Sequence, residues 1–158
     1  MSPRAAWRLD ALGFEQVYDY VAGKADWLAS GLPREGRAAD VPRAGDLADA
    51  EPLTCGLADH VGDLRAALAA SRTGFALVVN DRRILLGRLR RSAIANAADD
   101  AIAADVMEPG PSTVRYDVPA AELVERLRRR ELQTAIVTTP GGLLVGVLHR
   151  AGAERRLA

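Results

Sequence analysis

Few residues in this chain could do covalent or metal chemistry. It has two histidines, His60 and His149, and one cysteine, Cys55. A zinc site usually takes three or four nitrogen and sulfur ligands, so these three side chains would make one only in an unusual geometry. A single cysteine excludes an internal disulfide and any cysteine-based cluster. Neither a Gly-x-x-x-x-Gly-Lys loop nor a Gly-x-Gly-x-x-Gly fingerprint is present. Asp99, Asp100 and Asp105 sit near an expected helix start, where helix-end electrostatics accounts for acidic residues without catalysis. The run Arg128, Arg129, Arg130 ends an amphipathic stretch; it reads as a solvated face favoured by the helix C-terminus, with a phosphate contact as the sharper alternative. The reading is therefore binding rather than catalysis.

Composition agrees with a folded, water-soluble chain. Hydrophobic residues make up 49% of the 158 positions and charged residues 27%. Acidic and basic residues balance at 21 each, so no net field points to nucleic acid or a membrane surface as partner. No stretch approaches the roughly 20 apolar residues a spanning helix needs. Residues 1–12 carry Arg4, Arg8 and Asp10 among short apolar runs, without a core of signal-peptide length. One cysteine and no such signal suggest a reducing cytoplasm.

The chain contains an internal repeat. A shift of 59 residues lays 46–94 on 105–153 without a gap and gives 11 identities. Asp46 falls on Asp105, Pro52 on Pro111, Thr54 on Thr113, Leu64 on Leu123 and Leu68 on Leu127. Further on, Ala76 meets Ala135, Val78 Val137, Leu85 Leu144, Gly87 Gly146, Leu89 Leu148 and Arg91 Arg150. One ungapped register that also aligns Pro, Thr and Gly marks a duplication.

Each copy reads as strand, helix, strand, strand, helix. Short extended pieces are expected at 53–55 and 113–115. Leu57, Val61, Leu64 and Leu68 fall at helical spacing in the first copy, as do Leu123, Val124 and Leu127 in the second, where Pro119 suits a first helical turn. Two strands of buried type follow in each, 75–79 with 84–89 across Asn80 and Asp81, and 135–138 with 143–148 across Pro140, Gly141 and Gly142. Helices near 91–98 and 150–157 close the copies. A unit of roughly 50 residues has little core of its own. Two units packed about a pseudo-twofold axis would cover both sheets and leave a cleft between related halves, a natural ligand site.

This order of elements, given twice, resembles the cystathionine-β-synthase (CBS) domain pair. Val106-Met107-Glu108-Pro109 leading into Pro111-Ser112-Thr113-Val114 looks like the entry into the first strand of a CBS motif, and Leu47-Ala48-Asp49-Ala50 is its degenerate counterpart. The stretches 85–89 and 144–148 look like the third strand, with the glycine the family favours. The resemblance covers about residues 41–156 and implies an α+β fold of two pseudo-twofold-related β-α-β-β-α motifs, the first about 46–99 and the second about 100–158. It further implies a regulatory homodimer that binds an adenosine-containing ligand such as AMP, ATP or S-adenosylmethionine between its motifs. By the same likeness Thr54, Ala76 and Leu77 would line one cleft, and Thr113, Ala135 and Ile136 the other.

The chain departs from the family at its ribose signature, Gly-x-x-Thr/Ser-x-x-Asp, whose aspartate accepts hydrogen bonds from the ribose hydroxyls. The first copy reads Gly87, Arg90, Ala93 in that frame and the second Gly146, His149, Gly152. Both carboxylates are missing. Arg90 and His149 could instead meet a phosphate or other anion; the alternative is that they face solvent at a helix start.

Residues 1–40 stand outside the repeat and are expected to be mainly helical, with 34–46 a linker. Gly13-Phe14-x-x-Val17 followed by 25–33, which end Gly31-Leu32-Pro33, resembles the C-terminal end of a rhodanese domain, where a strand after Gly-Phe leads to a last helix. No cysteine precedes Gly13, and Cys55 lies in an expected strand, so sulfur transfer is not expected. Phe14, Val17, Tyr18, Tyr20, Trp27 and Leu28 should pack on the pair, across a dimer, or against a protein partner.

Overall fold

The computed structural model describes residues 3–37 and 39–158. The repeat folds into two mixed α+β units. In the first, β1 (Thr54–Cys55) runs parallel to β2 (Phe75–Val79), which pairs antiparallel with β3 (Leu85–Arg90); α4 (Val61–Ala70) and α5 (Arg91–Ile94) cover one face. The second repeats this with β5 (Thr113–Arg115), β6 (Thr134–Thr138), β7 (Leu144–His149), α7 (Ala120–Arg129) and α8 (Arg150–Leu157). The registers correspond residue for residue: Thr54 pairs Leu77 as Thr113 pairs Ile136, and both hairpins shift register at the equivalent step, Val78/Val79 and Val137/Thr138.

Both faces of the central strands are apolar because each has something to bury against. Ala76, Val78 and Leu89 point into the first unit's helices with Leu64, Leu68 and Ile94. Ala135, Val137 and Leu148 do the same in the second with Leu123, Leu127 and Ala153. The alternate positions, Phe75, Leu77, Ile136, Leu144 and Val147, form a third core between the sheets. Period-two alternation with both sides covered produces the continuous apolar runs seen in the sequence.

The units are joined by exchange of their lead-in segments. The short helix α3 (Ala44–Leu47) precedes the first unit, but Ala44 is fully buried in the core of the second. Its counterpart α6 (Ala103–Val106) precedes the second unit, and Ala103 is fully buried in the core of the first. The backbone follows: Ala44 N–H donates to Val118 C=O and Ala120 N–H to Pro42 C=O, mirrored by Ala103 to Asp59 and Val61 to Ala101. Beyond the helices, β4 (Glu108–Pro109) pairs with β3, and Asp49 bridges Val147 of β7 in the equivalent place. Each unit thus edges the other's sheet.

That crossing explains Gly87 and Gly146. A Cβ on Gly146 would collide with the Asp49 carbonyl oxygen and lie 2.8 Å from the carbonyl carbon. A Cβ on Gly87 would meet the Met107 side chain and come within 3.1 Å of the Glu108 carbonyl oxygen.

Three expectations need correction. The first repeat helix starts at Val61, so Leu57 lies outside it and is exposed; residues 56–60 are taken by a turn in which the Asp59 carboxylate accepts the Gly56 N–H, and by the His60–Ile102 bridge. The helix expected at 91–98 ends at Ile94, where the Arg65 guanidinium takes the Ile94 and Ala97 carbonyls at 2.6 Å and pairs with Asp99 at 2.7 Å. The linker 34–46 includes the start of α3 and so belongs in part to the pair.

The N-terminal segment holds α1 (Pro3–Ala11) and α2 (Gly23–Ala29). No strand follows Gly13-Phe14; no neighbouring strand is available there to pair its backbone. Most of the aromatics do not pack on the pair: Trp7 is 70% exposed, Phe14 58% and Tyr18 80%. Tyr20 and Trp27 stack edge-on at 5.2 Å, and Ala29 is buried. The segment is tied to the pair by Arg34, 2.9 Å from Asp46, and by Gly31, which lies against the Tyr116 ring.

Candidate functional site

The lead-in of the first motif, the 71–73 loop after α4, and the β7–α8 junction of the second motif enclose a cleft. Its larger part, about 480 Å³, is lined by Leu47, Ala48, Asp49, Arg72, Gln133, His149, Gly152 and Arg155, among others. A second recess of about 290 Å³ shares Asp49, Arg72 and His149 and continues along Pro52, Leu53 and Thr73. Both motifs therefore contribute walls. Asp49 is fixed by its backbone: its N–H donates to Val147 C=O at 2.9 Å and its C=O accepts from Val147 N–H at 3.0 Å. Its Oδ1 accepts the Glu51 N–H at 3.1 Å.

Basic groups dominate this cleft. Arg72 and Arg155 are exposed and make no ion pair among the described residues. Arg156 also lines it and donates to the Asp46 carbonyl at 3.3 Å. A Cβ on Gly152, where the family's ribose aspartate would stand, would lie 3.8 Å from the His149 Cβ and 4.0 Å from Arg155 Nη2. A guanidinium stands beside the place where a carboxylate is expected.

The pseudosymmetric cleft differs. Glu108, the counterpart of Asp49, pairs with Arg88 at 2.8 Å and with Arg90 at 3.0 Å. Hydrogen bonds from Arg88 first, then Arg90, hold its carboxyl below the usual carboxylate range. Two recesses lie on this side, each lined by one motif alone: about 290 Å³ along Thr113, Arg126, Arg130, Leu132, Ala135 and Ile136 of the second, and about 450 Å³ along Gly74, Phe75, Arg90 and Arg91 of the first.

The site residues expected from sequence fall in three groups. Thr113, Ala135 and Ile136 come together in the second motif's recess. Thr54, Ala76 and Leu77 share adjacent strands, but Ala76 and Leu77 are fully buried and the Leu77 N–H is taken by Leu53 C=O at 2.9 Å; Pro52 and Leu53 are what face the first cleft. His149 lines both parts of the first cleft, whereas Arg90 is turned onto Glu108. Sequence reasoning missed Asp49, Arg72 and Arg155. A signal existed in the repeat register, where Arg72 falls on Glu131 and Arg155 on Asn96, so the two copies differ in charge at these places.

Cys55 is buried in the first core, and its thiol is pushed up to about 11 by burial and then by the Asp59 charge, the opposite of an activated nucleophile. No group of three His, Cys, Asp or Glu is placed to hold a metal among the described residues. Among them, too, no helix is long and apolar enough to cross a membrane.

Two motifs exchanging their lead-ins around facing sheets of four and three strands define a CBS-pair fold, and the comparisons agree. The family model for the CBS domain matches residues 103–153. The cytosolic domain of the Mg2+ channel MgtE in complex with ATP superposes with a TM-score of 0.62 at 22% identity, over 74% of this chain and 49% of that one. This chain thus spans about half the length of that relative. The CBS domains of a transcriptional regulator from Streptococcus pneumoniae give 0.61 at 16% identity, over 73% of this chain and 99% of that one. CBSX2 in complex with AMP gives 0.60 at 19% identity, over 73% and 96%. No curated protein matches the chain in sequence. The rhodanese-like reading of the N-terminal segment gains no support from these comparisons.

Proposed function

We propose that this chain is a regulatory module rather than a catalyst, that it self-associates as a homodimer, and that it senses an adenosine-containing ligand in the cleft shared by its motifs. The observation that carries the reading is the open cleft at Asp49, Arg72 and His149, walled by both motifs. A ligand there would bridge the two halves and bind only the folded chain. The likeness to structures that hold ATP and AMP, and to a CBS domain pair solved with S-adenosyl-L-methionine, supports the ligand class, AMP, ATP or S-adenosylmethionine. A thermal-shift panel of AMP, ADP, ATP, S-adenosylmethionine and NADH tests it. Ligand at about 100 times Kd adds about 2.7 kcal/mol. For a chain of this size that is a rise of roughly 5–10 °C. No shift at millimolar ligand, with the protein folded, refutes the sensing role.

A second reading is favoured by the exposed Trp7, Phe14 and Tyr18: the pair is a ligand-free interaction dimer that docks a protein partner through its N-terminal segment. A pull-down with the chain lacking residues 1–36 separates the two, since unchanged partner recovery removes the docking role.

A further inference from the structure

We infer that the open cleft selects its ligand by a phosphate chain held by Arg72 and Arg155, and not by the ribose. This rests on the proposed nucleotide-sensing role and specifies which part of the ligand the site reads. The ribose acceptor is gone: Gly152 stands in its place, with the Arg155 guanidinium beside it. Arg72 approaches the same cavity from the first motif, without an ion pair among the described residues, and His149 lies between the two parts of the cleft. Guanidinium groups present planar donor forks suited to phosphate oxygens. Among the described residues Asp49 is the one carboxylate lining the larger part, where one of its oxygens is engaged by the Glu51 N–H, and Glu51 lines the smaller part with it.

The pseudosymmetric cleft marks the contrast. There Glu131 and Asn96 replace Arg72 and Arg155 in the repeat register, and Glu108 occupies the arginines that remain at the motif boundary. Arg126 and Arg130 line a recess of the second motif alone, so among the described residues the anion site walled by both motifs is the one at Arg72 and Arg155. The ligand chemistry is a di- or triphosphate chain, carried by a nucleotide or free.

Isothermal titration of the full chain with ATP, inorganic triphosphate and adenosine, on wild type and on the double variant R72E/R155N, tests the assignment. The variant places in the open cleft the residues that its counterpart carries, at exposed positions where folding should survive; a melting curve checks this. The expected result is one ATP per chain, displacement of ATP by triphosphate, no measurable adenosine binding, and at least about a tenfold loss of ATP affinity per arginine replaced. Equal affinity for adenosine and ATP, or unchanged ATP binding by the double variant, overturns the inference while the sensing role stands. Loss of ATP but not triphosphate binding in Asp49→Asn would place recognition on the ribose and overturn it too. No ATP binding by wild type overturns both.

Discussion

Gly146→Ala tests the claim that the two motifs are held by exchange of their lead-ins. The new methyl would strike the Asp49 carbonyl oxygen and stand 3.3 Å from the Ala48 Cβ. Unlike a flexible side chain, this neighbour is backbone, fixed by the reciprocal bonds between Asp49 and Val147 at 2.9 and 3.0 Å. Relief requires separating β7 from the lead-in, which loses both bonds. A backbone hydrogen bond is worth about 0.5–1.5 kcal/mol net. Overpacking costs typically another 1–3 kcal/mol. Replacing glycine inside a strand returns about 0.5–1 kcal/mol.

The balance is a destabilisation of about 3 kcal/mol, or roughly 6–12 °C in Tm for a domain of this size. Thermal melts by circular dichroism on three variants read it. Gly87→Ala should fall between, because the Met107 side chain in its way can turn aside. Gly141→Ala, with nothing within 4 Å, should stay within about 0.5 kcal/mol of wild type. A Gly146→Ala melt indistinguishable from that of Gly141→Ala refutes the crossing. Because Asp49 also walls the open cleft, Gly146→Ala should weaken ligand binding at temperatures where the chain is still folded.

Two further predictions concern titration. Asp46 would be raised by burial alone, but hydrogen bonds from Tyr116, the Arg43 N–H and Arg34 bring its carboxyl below the ordinary 3.8. A depressed carboxyl stabilises the fold above its unfolded pKa, and that contribution is lost as pH falls through the folded value. The stability gap between wild type and Asp46→Asn should therefore close below about pH 4 in melts followed against pH. Burial, then the bond to Asp46, pushes Tyr116 up to about 12 from 10.0, so its contribution is complete below pH 10 and is lost as pH rises through about 12; Tyr116→Phe should flatten that alkaline limb. Cys55, with a thiol near 11, should react slowly with a thiol-specific disulfide reagent at pH 8 in the native protein and rapidly in denaturant, and equal rates would contradict its burial.

The strands and the duplication were legible because burial on both faces writes itself into local sequence. Phe75–Val79 is apolar throughout, and its copy repeats it at a fixed shift. Gly87 and Gly146 were legible as aligned glycines, but not the reason for them, which lies in a segment from the other motif crossing overhead. Leu57 misled because its spacing from Val61 is helical, whereas the Asp59 turn and the bridge at His60 decide where the helix begins. The N-terminal aromatics were expected to be covered, yet hydrophobicity alone names no partner surface, and most remain open. At the site, the ribose signature has Arg90 and His149 at its hydroxyl position, and Ala93 and Gly152 where its carboxylate would stand. Arg155 sits one turn beyond Gly152 in α8, but Arg72 follows α4 of the first motif, and the two come to line one cavity only through the packing of the motifs.

That exchange bears on how a ligand signal could leave the cleft. Asp49 belongs in sequence to the first motif but is bonded to β7 of the second, and Ala44, five residues before it, is in the second core. Arg72, by contrast, follows α4 of the first motif. A ligand touching Arg72, Asp49 and Arg155 together would therefore pull on the first core through one contact and on the second through two. The sheets meet through Phe75, Leu77, Ile136, Leu144 and Val147, an apolar layer with no directional bonds among its side chains, and at the hairpin tips through Leu85 N–H to Gly142 C=O at 3.0 Å and Leu144 N–H to Arg83 C=O at 2.9 Å. Small rotations of one unit on the other cost least in such a layer. Backbone bonds between the units lie at the hairpin tips and at the lead-ins, and the lead-ins, which wall the cleft, are where a ligand would limit or drive such a rotation. Hydrogen exchange that on ATP binding protects only residues lining the cleft and leaves Ala44, Ala103 and Val147 unchanged would rule out this route, because both lead-ins should respond.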